Sequence, residues 1–399
     1  MRIFTFKGGI QPNSRKYLSK EKPITSISSE KEMIYPIADH ALPLVVGGEY
    51  VLRGQKIAEG IDNKISVYSS VSGVVTAIES RLNIQGLHVR SIVIENDMKN
   101  HEVNYQQGYS TEYKKRIPCE YENIKYVIVD GTECEPYLTS DYRMMFEQTH
   151  EIISGLKELL KLYPNAKGIV CISNDKIDCV QKMMEMIKDD SQIEVRVVKL
   201  KYPQGHPQKI IQTMFGKKES FDTCIIESIS SILGFYKEKV YGIPMMEHVI
   251  TISGEGVCEP GNYLVPHGIS LRNAVECAGG LDDNIDRLII GGPLTGTTVI
   301  TTDVPITSEV KSIIGLKKGG TEHIEPSSCI KCGRCVEVCP QGLIPAKLAS
   351  FAENSEDKLF LRWNGIDCIE CGCCTYKCPS KISIHQSIGA MKRNIGGNE

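Results

Sequence analysis

The sequence lacks the features of a membrane-spanning, exported or nucleic-acid-binding protein. Its 399 residues contain no run of about 18 apolar residues, so no segment is expected to cross a bilayer. The first ten residues, MRIFTFKGGI, have neither the apolar core nor the cleavage site of a secretory signal. A net charge of −3 gives no excess of positive charge for binding phosphate backbones. We therefore expect a soluble chain of several domains, whose association with any membrane comes through partner proteins.

Cysteine is the residue type that stands out. The chain has 16 cysteines, of which seven are scattered singly over the first 300 residues and nine fall between Cys329 and Cys378. Because no export signal is present, disulfide bonds are not expected. Dense, regularly spaced cysteines in a reducing compartment indicate metal binding instead.

The first hundred residues divide into two segments. Residues 1–35 are polar and weakly patterned, and we interpret them as an extended N-terminal arm. Residues 36–100 contain short β-branched runs cut by glycines, which predicts a small β barrel or sandwich. They resemble the barrel-sandwich hybrid of lipoyl and biotinyl carriers, but the stretch that matches the hairpin tip, residues 69–73, has no lysine. We therefore expect a scaffold and not a swinging arm.

Strands and helices alternate over residues 120–246. Three β-branched runs, IKYVIVD, KGIVCIS and IEVRVVKL, predict buried strands. A helix is expected to begin at Ser140 or Asp141 and to run to about Tyr163, where Pro164 ends it. A second helix is expected after KGIVCIS. This alternation implies a mostly parallel sheet that is covered by helices on both faces.

Two smaller modules complete the predicted multidomain α/β and β fold. Residues 247–312 follow the order strand, turn, strand, short helix and glycine stop, and they resemble a β-grasp module of the soluble-ligand-binding type. Residues 322–388 contain the dense cysteines and are predicted to form a ferredoxin-like α domain. The expected order is arm, barrel-sandwich hybrid, α/β domain, β-grasp module and cluster domain.

Two segments of the cluster domain share one motif. CIKCGRCVEVCP begins at Cys329 and CIECGCCTYKCP begins at Cys368, and both follow Cys-x2-Cys-x2-Cys-x3-Cys-Pro. Three closely spaced thiolates can bind one cubane, whereas the fourth cysteine of this run ligates the other cluster. We therefore predict two [4Fe–4S] clusters with crossed ligation. Cluster 1 is assigned to Cys329, Cys332, Cys335 and Cys378, and cluster 2 to Cys368, Cys371, Cys374 and Cys339.

Zinc is the alternative cofactor for such cysteines. Zinc sites commonly use Cys-x2-Cys pairs separated by a longer loop, so the third and fourth cysteines with their proline favour clusters. Cys373 occupies the position of Arg334 in the first motif and is expected to be a bystander. The motif identifies the cofactor but leaves its reduction potential open, because the protein surroundings set that potential.

The order of these segments resembles one family over nearly the whole chain. This family comprises the C subunits of Rnf-type, ion-pumping ferredoxin:NAD oxidoreductases, which are relatives of the flavin subunit of respiratory complex I. The stretches that carry the resemblance are FKGGI at 6–10, GQKI at 54–57, GTECEPYLTSDYRMM at 131–145, YPQG at 202–205, GGPLTG at 291–296 and the two cysteine motifs. The resemblance implies a cytoplasmic subunit, peripheral on the inner face of the cell membrane through partner subunits. It also implies FMN and NADH binding in the α/β domain.

The stretch that would bind flavin departs from this family in three places. The family has a glycine-rich loop, GLGGAGFPT followed by lysine, where this chain has GYSTEYKKRIPCEYENIKYVIVDG. Glycines there let backbone N–H groups approach phosphates. Asp130 replaces an asparagine, and His206-Pro207 follows YPQG where the family usually has an acidic residue. FMN binding is therefore doubted, and direct NADH oxidation is doubted further.

Glu133, Glu135 and Gly205 are what remains of such a flavin or nicotinamide site. The alternative, which we favour slightly, is that Glu135 orders the turn into the following helix and that Glu133 is solvated. A lone loop histidine such as His206 seldom has a catalytic role, and Cys134 has no nearby base or cation in sequence. No catalytic residue is predicted.

Three functions fit these observations. The leading hypothesis is an iron–sulfur electron-transfer subunit of an Rnf-like membrane complex, with ferredoxin or a flavoprotein as electron donor or acceptor. The second is an enzyme, an FMN-containing NADH or ferredoxin oxidoreductase subunit. The third is a soluble electron carrier for a dedicated reductase, similar to the Rnf-C-like protein associated with proline reductase. The FKGGI segment favours the first hypothesis, and the missing glycine loop favours the third.

Overall fold

Four β-sheets and eleven α-helices are found in the described part of the computed structural model. One sheet is parallel, two are antiparallel and one is mixed. The predicted multidomain α/β and β fold class is therefore confirmed. The residues that the structure describes are 2–38, 40–60, 66–105, 123–216, 219–317 and 325–396.

Two small antiparallel sheets form the β domain. Their strands are β3 (Glu32–Pro36), β4 (Leu42–Pro43), β5 (Tyr50–Val51), β6 (Lys56–Glu59), β7 (Val67–Tyr68), β8 (Gly73–Leu82) and β9 (His88–Asn96). One sheet has the order β3-β9-β8-β5 and the other β4-β6-β7. Alternate side chains of a strand point to opposite faces, so Met33 and Tyr35 of β3 are both buried in the core between the sheets.

A parallel sheet of five strands forms the α/β domain. Its strands are β1 (Ile3–Phe4), β10 (Tyr126–Gly131), β11 (Lys167–Ser173), β12 (Ile193–Val198) and β13 (Cys224–Ser228), in the order β1-β12-β11-β10-β13. Three of these strands are the runs predicted from their β-branched residues. The helices of this domain are α1 (Ser140–Glu147), α2 (Thr149–Leu160), α3 (Ile177–Met186), α4 (Pro207–Phe215) and α5 (Ile229–Tyr241).

The single helix predicted from about residue 140 to Tyr163 is wrong, because α1 and α2 are separate helices. Gln148 lies between them with a ψ of 35°, outside the helical range. The Thr149 hydroxyl donates a hydrogen bond of 2.6 Å to the Met145 carbonyl. That hydroxyl competes with the backbone donor that would otherwise continue α1, and the chain turns there.

The β-grasp module is a mixed sheet of six strands. They are β2 (Ile24–Ser26), β14 (Glu247–Ser253), β15 (Gly261–Pro266), β16 (Ile285–Ile290), β17 (Thr297–Thr298) and β18 (Ser312–Lys317), in the order β17-β16-β18-β14-β15-β2. Its helix, α6 (Leu271–Cys277), begins after Ser270, whose hydroxyl accepts a hydrogen bond from the Asn273 N–H.

The segment interpreted as an N-terminal arm crosses three units of the molecule. β1 pairs with β12 of the parallel sheet, and β2 pairs with β15 of the β-grasp sheet. β3 begins at Glu32, before the predicted boundary at residue 36, and pairs with β9 of the β domain. The strands of this segment therefore use their backbone groups in three different sheets.

The C-terminal helices form two similar halves. They are α7 (Arg334–Val338), α8 (Pro345–Glu353), α9 (Asp357–Arg362), α10 (Cys373–Lys377) and α11 (Ile384–Gly396). Leu348, Phe360 and Ile388 form a shared apolar core. Among the helices that the structure describes, none combines the length and the apolar character needed to cross a bilayer.

Candidate functional site

The two cysteine motifs have the same backbone conformation. Lys331 and Glu370, which precede the second cysteine of each motif, have φ values of 56° and 51°. Gly333 and Gly372 follow that cysteine with φ values of 79° and 71°, which glycine adopts readily. Each glycine begins a short helix, α7 or α10, that carries the third cysteine. The duplication seen in the sequence is thus a duplication of structure.

A residue just after each motif is hydrogen-bonded to the residue that precedes the other motif. The Gln341 side chain donates to the carbonyl of Asp367, the residue before Cys368, at 3.1 Å. At the equivalent place, the Ser380 hydroxyl donates to the carbonyl of Ser328, the residue before Cys329, at 3.1 Å. The two donors follow the fourth cysteines by two residues, so each fourth cysteine lies beside the other motif, as crossed ligation requires.

The four thiols assigned to cluster 2 line one cavity. Cys339, Cys368, Cys371 and Cys374 share it with Cys373 and with apolar side chains that include Ile388. Two backbone N–H groups donate to these sulfurs, from Leu343 to Cys339 and from Glu370 to Cys368, both at 3.4 Å. Such N–H···S bonds are among the factors that set cluster potentials. The residues present fit a cluster here.

The thiols assigned to cluster 1 are more open to solvent. Cys329 and Cys332 are exposed, whereas Cys335 and Cys378 are half-buried against the apolar core. The Ser327 N–H donates to the Ser380 carbonyl at 3.0 Å, which brings the start of the first motif beside the end of the second. The structure thus places Cys378 next to the first motif, although the ligand assignment stays a prediction.

The arrangement of ligands also bears on the zinc alternative. Within the described residues, no three His, Cys, Asp or Glu side chains are grouped closely enough to hold a single metal ion. A tetrahedral zinc site needs its thiolates within about 2.3 Å of one ion. Thiolates that bind separate irons of a cubane lie further apart than the ligands of a single ion.

The α/β domain covers the cluster 2 side of this unit. The Gly9 N–H donates to the Val338 carbonyl at 2.8 Å, and a Cβ at Gly8 would lie 2.6 Å from the Cys339 carbonyl oxygen. The Tyr202 hydroxyl donates to the Cys371 carbonyl at 2.7 Å. FKGGI and YPQG, two stretches that carried the family resemblance, are therefore packed on cluster 2 loops.

Cys373, the predicted bystander, lies in this interface. It is fully buried beside Ile10 and Tyr202. A hydrogen bond with Cys371, and then burial, raise the pKa of the Cys373 thiol. A neutral thiol is a poor nucleophile and a poor metal ligand, which is consistent with the bystander interpretation.

The structure corrects the expectation that Glu133 is solvated. Its side chain is only 1% exposed. Lys16 Nζ donates to the Glu133 carbonyl at 2.6 Å and lies 3.4 Å from a carboxylate oxygen, and Lys176 Nζ lies 4.0 Å from the same oxygen. The Asp141 N–H donates to the other oxygen at 2.7 Å. Glu133 is thus the buried partner of two lysines at the start of α1.

Glu135 is engaged by the β-grasp module. Its carboxylate accepts the Leu294 N–H at 3.0 Å and a hydrogen bond from the Thr295 hydroxyl. Gly292 of the same GGPLTG loop is so close that a Cβ there would collide with the carboxylate. Glu135 therefore joins two units of the molecule, a role that was not predicted from the sequence.

Gly205 lies beside the carboxyl end of β10. Its N–H donates to Cys134 Sγ at 3.4 Å, and a Cβ would lie 2.9 Å from Thr132 Oγ1. Burial raises the pKa of Cys134 to about 12, which agrees with its not being a nucleophile. His206 accepts a hydrogen bond from the Gln208 N–H at 3.3 Å and so caps α4.

A cavity of about 270 Å³ lies at the carboxyl ends of β10, β11 and β12. Ligands of open parallel sheets commonly bind at this edge. Lys16, Cys134, Glu135, Asp175 and Lys201 are among the residues that line it. Lys16 already donates to two backbone carbonyls, and Lys201 donates to the Phe6 carbonyl.

The acidic residues expected at a flavin site have partners within the protein. Glu133 and Glu135, the two acidic residues expected to remain from one, are both held by protein groups. Asp130 is buried, and burial raises the pKa of its carboxyl. Most of the stretch where the glycine-rich loop was expected, residues 108–122, lies outside the described residues.

Sequence reasoning missed three buried lysines, Lys16, Lys176 and Lys209. Lysine is almost never fully buried unless it is paired, so a lysine is expected to be exposed. Nothing in the local sequence marks these three as exceptions. Lys209 donates to the Pro340 carbonyl at 2.7 Å, across the interface with the cluster domain.

Family models match four consecutive parts of the chain. The RnfC barrel sandwich hybrid domain matches residues 4–99, and the Nuo51 FMN-binding domain matches residues 104–228. The SLBB domain matches residues 249–298, and the 4Fe-4S dicluster domain matches residues 328–382. These matches confirm the predicted β-grasp type and the predicted [4Fe–4S] cofactors, and they leave FMN binding open.

Whole-chain relatives carry one description. The C subunit of the Na(+)-translocating ferredoxin:NAD(+) oxidoreductase complex of Acetobacterium woodii is 31% identical over 98% of this chain and 97% of its own length. The proton-translocating counterpart of Clostridium ljungdahlii is 29% identical over 86% of this chain and 84% of its own length. The C subunit of the ion-translocating oxidoreductase complex of Yersinia enterocolitica is 28% identical over 89% of this chain, which spans 56% of that longer relative. The chain therefore belongs to the RnfC family, the C subunits of ion-translocating oxidoreductase complexes.

Proposed function

We propose that this chain is the iron–sulfur electron-transfer subunit of an Rnf-like complex. The observation that carries the proposal is the pair of Cys-x2-Cys-x2-Cys-x3-Cys-Pro motifs, which share one backbone conformation and hold each other through Gln341 and Ser380. When bound, [4Fe–4S] clusters accept and release single electrons. The eight thiols of these motifs supply their ligands.

The surroundings of the two groups of thiols support different roles. Cys329 and Cys332 are exposed, so a protein partner can approach cluster 1 directly. The other group is covered by FKGGI and by Tyr202. This packing leaves the second group less exposed to water than Cys329 and Cys332, and exposure also influences reduction potential.

The partners follow from the relatives. Their descriptions place them in ion-translocating ferredoxin:NAD(+) oxidoreductase complexes, so we propose that this chain docks on Rnf-like membrane subunits. This position is peripheral, on the cytoplasmic face, with ferredoxin or a flavoprotein as electron donor or acceptor. A soluble carrier for a dedicated reductase is the alternative, and recovery of the native chain in washed membranes would contradict it.

An FMN-containing oxidoreductase subunit is the second candidate. Two observations favour it, namely the match of residues 104–228 to the Nuo51 FMN-binding domain and the cavity at the carboxyl edge of the parallel sheet. The engagement of Glu133 and Glu135 by protein groups argues against it. We therefore place electron transfer through clusters first.

One experiment tests both candidates. The chain is purified anaerobically, its iron and sulfide are measured, and its absorbance spectrum is recorded before and after NADH is added. About eight irons per chain and a broad band that NADH leaves unchanged would support the carrier function. A flavin band that NADH bleaches would support the enzyme. Zinc in place of iron would contradict both.

A further inference from the structure

Lys209 joins the α/β domain to the loop that follows a cluster ligand. It lies on α4 and is only 1% exposed. Its ammonium group donates to the Pro340 carbonyl at 2.7 Å, to the Gln341 side-chain oxygen at 2.6 Å and to the Gln212 side-chain oxygen at 2.7 Å. Pro340 and Gln341 directly follow Cys339, which is assigned to cluster 2. The side chain thus ends beside the cluster 2 loops.

The hydrogen bonds show that Lys209 carries its charge. The amide nitrogen of Gln341 donates to the Gln208 side-chain oxygen at 2.7 Å and to the Asp367 carbonyl at 3.1 Å, so the amide oxygen faces Lys209. Lys209 Nζ therefore has three oxygen acceptors. An ammonium has three N–H donors, whereas a neutral amine has two and would turn its lone pair toward one acceptor. The three short contacts favour the ammonium.

This buried charge has no carboxylate partner among the described residues. Every hydrogen-bond acceptor of Lys209 is a neutral amide oxygen. A buried cation is unfavourable unless a negative charge lies nearby. Burial lowers the pKa of Lys209, and the sulfurs of Cys339 and Cys371 oppose this effect. The groups that oppose the effect of burial are therefore the sulfurs of two cysteines assigned to cluster 2.

We propose that Lys209 is a positioning residue that supplies a counter-charge to cluster 2 and raises its reduction potential. The inference rests on the proposed function, because it requires a cluster at Cys339, Cys368, Cys371 and Cys374. On reduction, the cluster takes one electron from an external donor and gains one negative charge. A fixed ammonium stabilises the more negative state more strongly, and no proton moves because Lys209 is already protonated.

The first cluster offers an internal contrast. At the place equivalent to Gln341, Ser380 donates to Ser328 and its own carbonyl accepts the Ser327 N–H. Within the described residues, no lysine donates a hydrogen bond to Pro379 or Ser380. Cluster 2 is thus expected to have the higher potential of the two, for a reason located in the α/β domain.

The test is a redox titration of the full chain, purified anaerobically and monitored by electron paramagnetic resonance. In Lys209→Gln the charge is lost while an amide N–H donor remains. At a fixed ambient potential near the midpoint, the reduced-to-oxidised ratio of cluster 2 is expected to fall roughly three- to tenfold, where tenfold corresponds to 59 mV for a one-electron couple. Lys209→Arg keeps the charge and should change the ratio less than twofold.

Lys347→Gln is the matched control. It removes the same charge from an exposed position on α8, where solvent screens it, and should leave both clusters unchanged. An unchanged cluster 2 ratio in Lys209→Gln overturns the inference. If Lys209→Gln loses cluster 2 but Lys209→Arg retains it, the result supports a role of the Lys209 charge. If both variants lose cluster 2, the proposed role of the charge is overturned. Absence of clusters from the unmodified chain would contradict the proposed function itself.

Discussion

The thiols of the cluster domain and the carboxylates at the edge of the parallel sheet differ in how many hydrogen-bond partners they have within the protein. The cluster 2 thiols face one cavity, and those of Cys339 and Cys368 accept only a backbone N–H each. Glu133 and Glu135 have partners within the chain for both of their oxygens. Both sets were recognised from motifs shared with one family.

This difference shows that residues of a shared motif can lie in very different surroundings. Cysteine motifs bind a cluster through their own spacing, so local sequence is sufficient to form the site. A carboxylate acts on a ligand only if the rest of the protein leaves it free. In this chain Lys16 and the GGPLTG loop supply partners for Glu133 and Glu135, and the same residues become structural.

The largest expected effect concerns the thiols. Cys339→Ser should remove cluster 2 and about half of the iron, because the fourth cysteine of one motif serves the other cluster. Its paramagnetic resonance spectrum should therefore match that of Cys371→Ser. Cys378→Ser should instead match Cys332→Ser. If Cys339→Ser matched Cys332→Ser, the crossed assignment would be wrong.

The next effect concerns the buried carboxylate. Glu133→Gln leaves Lys16 buried without its ion-pair partner, and the free energy of unfolding should fall by about 3–5 kcal/mol. Urea denaturation measures this value, and the iron content of the folded fraction should not change. Glu135→Gln, at a less buried position, should cost about 1 kcal/mol. A loss of clusters in Glu133→Gln, without a loss of stability, would show that Glu133 supports the clusters and not the fold.

A smaller effect is expected where the two regions meet. Gly8→Ala combines a positive φ of 83° with a collision at the Cys339 carbonyl, so we expect a loss of about 2–4 kcal/mol. Gly333→Ala is the control, because its φ is 79° but no other described atom lies within 4 Å of the added carbon. It should cost about 1–2 kcal/mol. Equal losses in thermal denaturation would show that Gly8 is not in a tight contact.

The smallest effect is a dependence on pH. Burial, and then Glu133, raise the pKa of Asp141 from 3.8 to about 7. The folded chain therefore binds this proton more tightly than the unfolded chain does, and stability should fall as pH rises from about 4 to 7. In Asp141→Asn, the decrease in the free energy of unfolding between pH 5 and pH 8 should be smaller by roughly 1–2 kcal/mol. Urea denaturation at the two pH values measures this difference. A parallel pH profile in the variant would contradict the prediction.

Local patterns predicted much of the fold. The run KGIVCIS is β11 with the same bounds, and the spacing of cysteines predicted the domain that contains α7 and α10. The break between α1 and α2 was missed, because it depends on a side-chain hydrogen bond of Thr149 to a backbone carbonyl and not on a glycine or proline. Residue type alone does not show whether a threonine hydroxyl will donate to a backbone carbonyl.

The burial of Glu133 could not be predicted for a different reason. Its partner Lys16 is 117 residues away in sequence, in a segment interpreted as a separate arm. Contacts of this range depend on how whole units pack, and a single sequence carries no local signal of them. The same limit applies to Lys209, whose acceptors lie 131 and 132 residues further along the chain.

The path of the N-terminal segment has a consequence for biosynthesis. Residues 3–4 add to the parallel sheet, residues 24–26 add to the β-grasp sheet, and the Gly9 N–H donates to the Val338 carbonyl within the first cysteine motif. A ribosome releases this segment first, yet its neighbours are made much later. The contact between the N-terminal segment and the cluster domain therefore cannot form until the first cysteine motif has been translated. In a nascent chain that stalls earlier, the N-terminal strands would have unpaired edges that chaperones and proteases can reach.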